Sequence, residues 1–293
     1  MTFKHMVSEL VLTSEQRVKL KRKRLEKTNA QNIKLIASNV KYKDIHKGER
    51  CFIIGNGPSL KKLDLSLLKD EYTITVNQSP RIENFKDLHT TYHLWVDERF
   101  FHLDNNNPND MELLDVMKRV NTEGNRPVVF YKTAAYDMIK KFKLDKELKI
   151  SYIMDGGIDT DTSNVDLPIT RPVPIFSTCI HYAILIAMYM GFTEIYLLGC
   201  DCTGIINTIN ARVENSKEFA YAYKISENEK KRMIAQNKKS SLADEFSWYA
   251  NLFRTYGMLF DYCKKRGVKL FNATEGSILE EVPRINLDDV LKS

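Results

Sequence analysis

Residues Cys51-Phe52-Ile53-Ile54-Gly55-Asn56-Gly57-Pro58-Ser59-Leu60 decide how this chain is read. An unbroken apolar run that includes the β-branched pair Ile53 and Ile54 predicts a strand buried on both faces, as in a parallel sheet. The strand then stops at Gly-Asn-Gly-Pro-Ser, a turn that neither a helix nor a sheet requires. Glycines let backbone N–H groups approach an anion with no Cβ in the way, and Ser59 can supply a hydroxyl or cap the segment that follows. The turn lacks the Gly-Lys-Ser/Thr of a Walker loop and the spacing of a dinucleotide fingerprint. On spacing alone it reads equally well as a plain strand-to-helix connection.

Further short apolar runs follow: "LDLSLLK", "YTITVN", "TYHLWVD", "RPVVFYK", "EIYLLGCD" and "VKLFNAT", separated by helix-length segments. That alternation predicts an α/β, Rossmann-like, mostly parallel sheet flanked by helices. "STCIHYAILIAMYMGFT" predicts a helix buried on much of its surface and ending near Gly191, just before "EIYLLGCD". Residues 1–46 form a basic helical extension, with Thr13 and Gln16 at capping-box spacing, expected as an appendage to the core. The main domain spans 47–285 and contains a polar helical insertion at about 205–243, expected to act as a lid and to offer little to a core. Residues 286–293 form a tail. The last long helix is expected over about Phe246 to Lys265, with Trp248, Tyr249, Phe253, Tyr256 and Phe260 as its core stripe.

In open parallel sheets, ligands bind beyond the carboxyl ends of the strands. The residues there are Gly55, Asn56, Gly57 and Ser59; Asn77 and Gln78; Asp97; and Gly199, Cys200 and Asp201. Amides can read the edge of a base or ribose hydroxyls. A carboxylate can bind a ribose, a metal or an acceptor hydroxyl. Several polar strand ends along one edge point to a nucleotide crevice more specifically than any one of them.

"IIGNGPSLKKLDLSLL", "VNQ" and "STCIHYAILIAMYMGFTEIYLLGCD" resemble, in order, segments of bacterial lipooligosaccharide sialyltransferases and of the wider MptE-like domain family. That family includes motility-associated glycosyltransferase-like proteins and archaeal 6-hydroxymethylpterin pyrophosphokinases. The resemblance covers roughly residues 49–100 and 170–282. The sialyltransferase resemblance implies a nucleotide-sugar donor, a CMP-sugar first, and a glycan or protein acceptor. Asn56 and its flanking glycines would face phosphate and cytidine, Asn77 the nucleotide, Ser177 and Thr178 the donor, and Gly199 to Asp201 the base pocket. The chain departs from that pattern in two places: Ala250 stands where those enzymes carry a catalytic histidine, and Phe176 where they carry an arginine. Asp97, Glu245 and Tyr249 are therefore the catalytic candidates. The wider family implies two alternatives: an ATP- and Mg²⁺-dependent pyrophosphokinase-like enzyme, with Asp97 and Asp201 on the metal, or a non-catalytic nucleotide-binding module of polysaccharide assembly.

Composition limits the rest. Hydrophobic residues at 43% and charged residues at 28% are those of a folded soluble protein rather than a disordered one. Five cysteines without CxxC spacing indicate neither a disulfide framework nor a zinc site. His89, His93 and His102 lack ligand spacing, and "DGGIDTDTSNVD", including Asp155, reads as a solvated loop. Net charge is +6, and Arg17 to Lys27 carries seven Lys or Arg against one Glu. This run predicts a solvated helix face that can tether the protein to an anionic membrane. Nucleic acid is not expected as a partner, and a homo-oligomer is. With no signal-peptide pattern and no span-length apolar run, the expected location is cytoplasmic, at or near the inner face of the membrane.

Overall fold

A computed structural model describes residues 13–158, 165–213, 221–236 and 241–292. Seven parallel strands form the central sheet: β1 (Arg50–Ile54), β2 (Tyr72–Val76), β3 (Tyr92–Trp95), β4 (Val128–Lys132), β5 (Lys149–Ile153), β8 (Glu194–Leu198) and β9 (Lys269–Asn272). A separate two-stranded ribbon pairs β6 (Asp155–Ile158) with β7 (Val173–Pro174). The strand order is β5-β4-β3-β2-β1-β8-β9. From β1 the chain winds outward to β5, then crosses back to lay β8 against the other side of β1. The order therefore reverses between β1 and β8. The crevice of a doubly wound sheet opens at that reversal.

The helices are α1 (Ser14–Thr28), α2 (Ala30–Ala37), α3 (Pro108–Lys118), α4 (Tyr136–Lys141), α5 (Cys179–Tyr189), α6 (Gly204–Val213), α7 (Glu227–Gln236), α8 (Leu242–Lys264) and α9 (Leu287–Leu291). Alternate residues of each strand enter opposite cores, which is why the strands read as continuous apolar runs. Cys51 and Ile53 of β1 join Ile184, Leu185 and Leu259 of α5 and α8 on one face. Phe52 and Ile54 join Leu65, Leu113, Met117 and Ile139 on the other. Helix α5 is almost wholly buried because it crosses β1, β2 and β3 on one side and meets α8 on the other.

Six of the seven apolar runs read from the sequence form strands of the sheet. "KISYI", which became β5, carried no such reading because Lys149 opens it exposed and Ser151 interrupts its apolar run. "LDLSLLK" forms a single 3₁₀ turn over Leu65–Leu68, capped by Asp64. The capping box at Thr13 and Gln16 forms as expected. The extension, however, is no loose appendage. Buried Asn39 donates to the carbonyls of Tyr152 (2.7 Å) and Ile169 (2.9 Å), and Arg22 to those of Pro172 (3.2 Å) and Asp166 (3.0 Å). These bonds occupy backbone acceptors along β5 and beside the ribbon, where an open sheet would otherwise present an unpaired edge.

Helix α8 begins earlier than expected because Ser241 and Asp244 form a capping box. Its buried stripe is Leu252, Thr255, Tyr256, Leu259, Tyr262 and Cys263; Trp248 is 44% exposed, so the expected stripe was set too near the N-terminus. The insertion also departs from expectation. Helix α7 packs on α3 and buries Glu229 (1% exposed) and Arg232 (5%), and Tyr223 ahead of it is buried too. A polar sequence enters the interior here because its charges pair with one another.

Candidate functional site

At the switch point the two loops that end β1 and β8 lie directly on each other. Gly55 N–H donates to Leu198 O (2.8 Å) and Gly57 N–H to Gly199 O (2.9 Å), extending the β1–β8 ladder past both strands. Ser59 then donates from its amide to Asp201 Oδ1 (3.0 Å) and from its hydroxyl to Asp201 Oδ2 (2.8 Å). A Cβ built on Gly57 would lie 1.7 Å from Asp201 Oδ2 and 2.6 Å from Gly199 O; one on Gly55 would lie 2.4 Å from Gly199 O. Loop-to-loop contact therefore requires both glycines, whatever else the turn does. The amides at 55, 57 and 59 are engaged by protein acceptors.

Asn56 ties the same loop sideways. Its Nδ2 donates to Val76 O (3.0 Å), its Oδ1 accepts from Ser79 Oγ (2.8 Å), and its carbonyl accepts from Ala222 N–H (2.9 Å). It joins the ends of β1 and β2 to the segment returning from the insertion. Gln78 is likewise occupied, donating to Glu229 Oε1 (2.6 Å) and accepting from Arg81 Nε (2.6 Å). Asn77 differs. Its backbone is left-handed (φ 48°), its N–H donates to Leu94 O (2.7 Å), and its buried amide oxygen has no hydrogen-bond partner among the described residues. Native proteins rarely leave such an atom unsatisfied.

Helix α5 places its N-terminus at this same edge, as a helix returning to a parallel strand must. Thr178 occupies the N-cap, but its hydroxyl contacts Cys179 Sγ (3.8 Å) and accepts from no backbone N–H of the first turn, so the partial positive charge of the helix end stays available. Ser177 accepts from Asn251 Nδ2 of α8 (3.0 Å). The Cys179 thiol is pushed up to about 11, mainly by burial, and lies within the field of Asp97. Tyr221, raised by burial, also feels Arg99, Glu229 and Asp97. Tyr249 is pushed up to about 12 by burial and sits beside Thr208, Glu245, Tyr221 and Cys202. Cys179 and Tyr221 thus lie near Asp97, and Tyr249 near Tyr221 and Cys202, along the carboxyl edge of the sheet.

Asp97 accepts from the backbone N–H of Arg99 and receives its guanidinium on both carboxylate oxygens (3.0 and 2.5 Å). With Asp201 held by Ser59, both carboxylates considered for Mg²⁺ are engaged. Among the described residues no cluster of three or more His, Cys, Asp or Glu side chains is placed to hold a metal. His93 is fully buried and bonded to Thr75 (2.7 Å), as an ordinary core histidine.

One cluster had no sequence signal. Lys132, at the end of β4, is 8% exposed and bridges to Asp155 Oδ2 (2.6 Å) and Glu98 Oε1 (3.4 Å). The hydroxyl of Tyr182 on α5 donates to Asp155 Oδ1 (2.6 Å) and accepts from Phe176 N–H (3.1 Å). Asp155 is therefore not part of a solvated loop. It anchors the segment that delivers Ser177 and Thr178 to the crevice, and only the return of α5 over the sheet brings these distant residues together. Residues 159–164, including Asp159 and Asp161, lie outside the described residues, as do 214–220 and 237–240 of the insertion.

An all-parallel doubly wound sheet with its polar loops gathered at the β1/β8 switch point defines a Rossmann-like α/β protein. A model of the family described as 6-hydroxymethylpterin diphosphokinase MptE-like matches residues 27–206, more than half of the chain, and the chain belongs to the MptE-like family. The match takes in β1 to β8 and the N-terminus of α5, while α7, α8 and β9 lie beyond it. No curated protein matches the chain. No helix among the described residues is long and apolar enough to cross a membrane.

Proposed function

We propose that this chain is a nucleotide-dependent transferase and, within that class, a glycosyltransferase that moves a sugar from a nucleotide donor, a CMP-sugar first, to a hydroxyl of a glycan or protein. The observation that carries it is the orphaned amide oxygen of Asn77, buried at the end of β2 on the carboxyl edge of the sheet. An exocyclic base amine or a ribose hydroxyl is the donor such an oxygen lacks. Across the crevice, the uncapped N-terminus of α5 meets a phosphate's charge. In this reading the GNGPS turn is a wall of the crevice, and the phosphate lies at α5. Tyr249, held neutral near pH 7, donates a proton or hydrogen bond to the leaving group. Glu245, one turn before Tyr249 on α8 and in its field, is the base.

We propose also that α1 tethers the protein to an anionic membrane surface. It buries Val18 and Arg22 and exposes Arg17, Lys19, Lys21, Lys23, Arg24 and Lys27. The test is a thermal-shift and donor-hydrolysis panel of CMP-, UDP- and GDP-sugars and of ATP with and without Mg²⁺, on wild type and Asn77→Ala. Stabilisation by a nucleotide sugar, weakened about tenfold by the substitution (one hydrogen bond,), is expected. A response to ATP that requires Mg²⁺ would establish the pyrophosphokinase instead. Tight nucleotide binding without turnover of any donor would leave a binding module.

A further inference from the structure

A cavity of about 920 Å³ lies outside the switch-point crevice, on the Leu60–Lys61 side of the opening turn. Its walls are the segment after β1, residues 81–84, and residues 221–230 of the insertion. The volume is that of a small-molecule site. Three features describe what would fill it. Lys61, Lys224 and Lys230 are exposed around it, and none has an ion-pair partner among the described residues. Tyr221 and Tyr223 stand on its wall stacked face to face, 5.2 Å between centroids and 3° from parallel. Glu83 and Glu227 add carboxylates to the rim.

We infer that this cavity is a subsite for an anionic saccharide, the acceptor of the transfer proposed above. The lysines meet the negative charge, an aromatic face covers the apolar face of a pyranose, and the carboxylates accept hydroxyl protons. A purely aliphatic ligand would leave five charges without a role, and an inorganic anion would leave the tyrosines without one. Arg81 does not count among the free cations: it bridges Glu112 (2.7 Å) and Gln78, and its Nη2 lies 3.8 Å from Glu229. The cavity joins the crevice through the segment 221–223, where Ala222 N–H bonds Asn56 O and Tyr221 lies in the field of Asp97. A sugar held here stands next to the end of β1. The acceptor role rests on the transferase reading; the binding does not.

The test is protein-observed NMR titration of the full chain with glucose 6-phosphate, glucuronate, glucose and inorganic phosphate, with CMP titrated in parallel. Wild type is compared with Lys224→Glu/Lys230→Glu, whose fold is checked by circular dichroism. Both charged sugars should bind more tightly than glucose and than phosphate. The double reversal should weaken them about tenfold, the scale of two exposed charge contacts, and leave CMP unaffected. The two charged sugars distinguish a phosphate ester from a carboxylate as the recognised group. Equal binding of glucose, equal binding of inorganic phosphate, or no effect of the reversal overturns the inference. A parallel loss of CMP does so too, because the cavity would then belong to the nucleotide site. If the sugars behave as expected while no nucleotide binds, the saccharide site stands and the transferase reading fails.

Discussion

Replacing Gly57 with alanine asks whether the opening turn is built for a ligand or for its neighbour. The new Cβ would sit 1.7 Å from Asp201 Oδ2 and 2.6 Å from both Asp201 Cγ and Gly199 O. The carboxylate can swing away, but Gly199 O is backbone and is itself bonded to Gly57 N–H. The two loops must therefore part. Parting them removes two hydrogen bonds from Ser59 to a charged acceptor, each worth roughly 1.5 kcal/mol at the low end. Residual overpacking adds about 1 kcal/mol or more. The total is about 4 kcal/mol, a large share of the roughly 5–15 kcal/mol that holds a domain together. For a chain of this size that lowers Tm by about 10 °C. The assay is a thermal melt at fixed scan rate, without nucleotide, of wild type, Gly57→Ala, Asp201→Ala and the double variant. Because Asp201 is the main obstacle, the double variant should lose at least 1 kcal/mol less than the sum of the singles. A Gly57→Ala melt within about 2 °C of wild type, or strict additivity, would refute the loop-contact account. Gly57 would then be free to serve the approach of a ligand.

Glu229→Gln leaves Arg232, and with it Arg81, short of a buried counter-charge, at a cost of about 3 kcal/mol. Since α7 lies at the end of an insertion, limited proteolysis should cut near it much faster while the main melt moves less; unchanged cleavage would mean the pair holds nothing. Asn39→Ala frees the carbonyls of Tyr152 and Ile169, a loss of about 2 kcal/mol, and faster amide exchange confined to Lys149–Ile153 should report it. His93 and His181 are each lowered to about 3 by burial. Below about pH 6.5 the unfolded chain therefore binds protons that the folded chain refuses. Stability contributed by the neutral histidines is complete above pH 6.5 and falls as pH drops toward 3, by about 1.4 kcal/mol per unit for each. His181→Leu should flatten part of that slope in urea titrations; an unaltered slope would show that His181 takes up its proton within the fold.

The sequence by itself determined the layers and the edge at which the polar strand ends meet. Runs such as "CFIIG" and "YTITV" are apolar or β-branched at nearly every position because helices cover both faces, and glycine, asparagine or aspartate stands where β1, β2, β8 and β9 leave the interior. Those signals are local, and they survive without coordinates. What the polar residues do was not local. Asn56, Gln78 and Asp201 all stand at strand ends, yet tertiary contacts commit them to Val76 and Ser79, to Glu229 and Arg81, and to Ser59, and leave the Asn77 amide oxygen unpaired. The Lys132–Asp155–Tyr182 cluster joins residues up to 50 positions apart, and no spacing rule detects it. The insertion read as solvent-facing because a sequence shows that Glu229 and Arg232 are charged but not that they face each other. Burial of a polar group depends on its partner, and the partner is chosen only when distant segments are packed together.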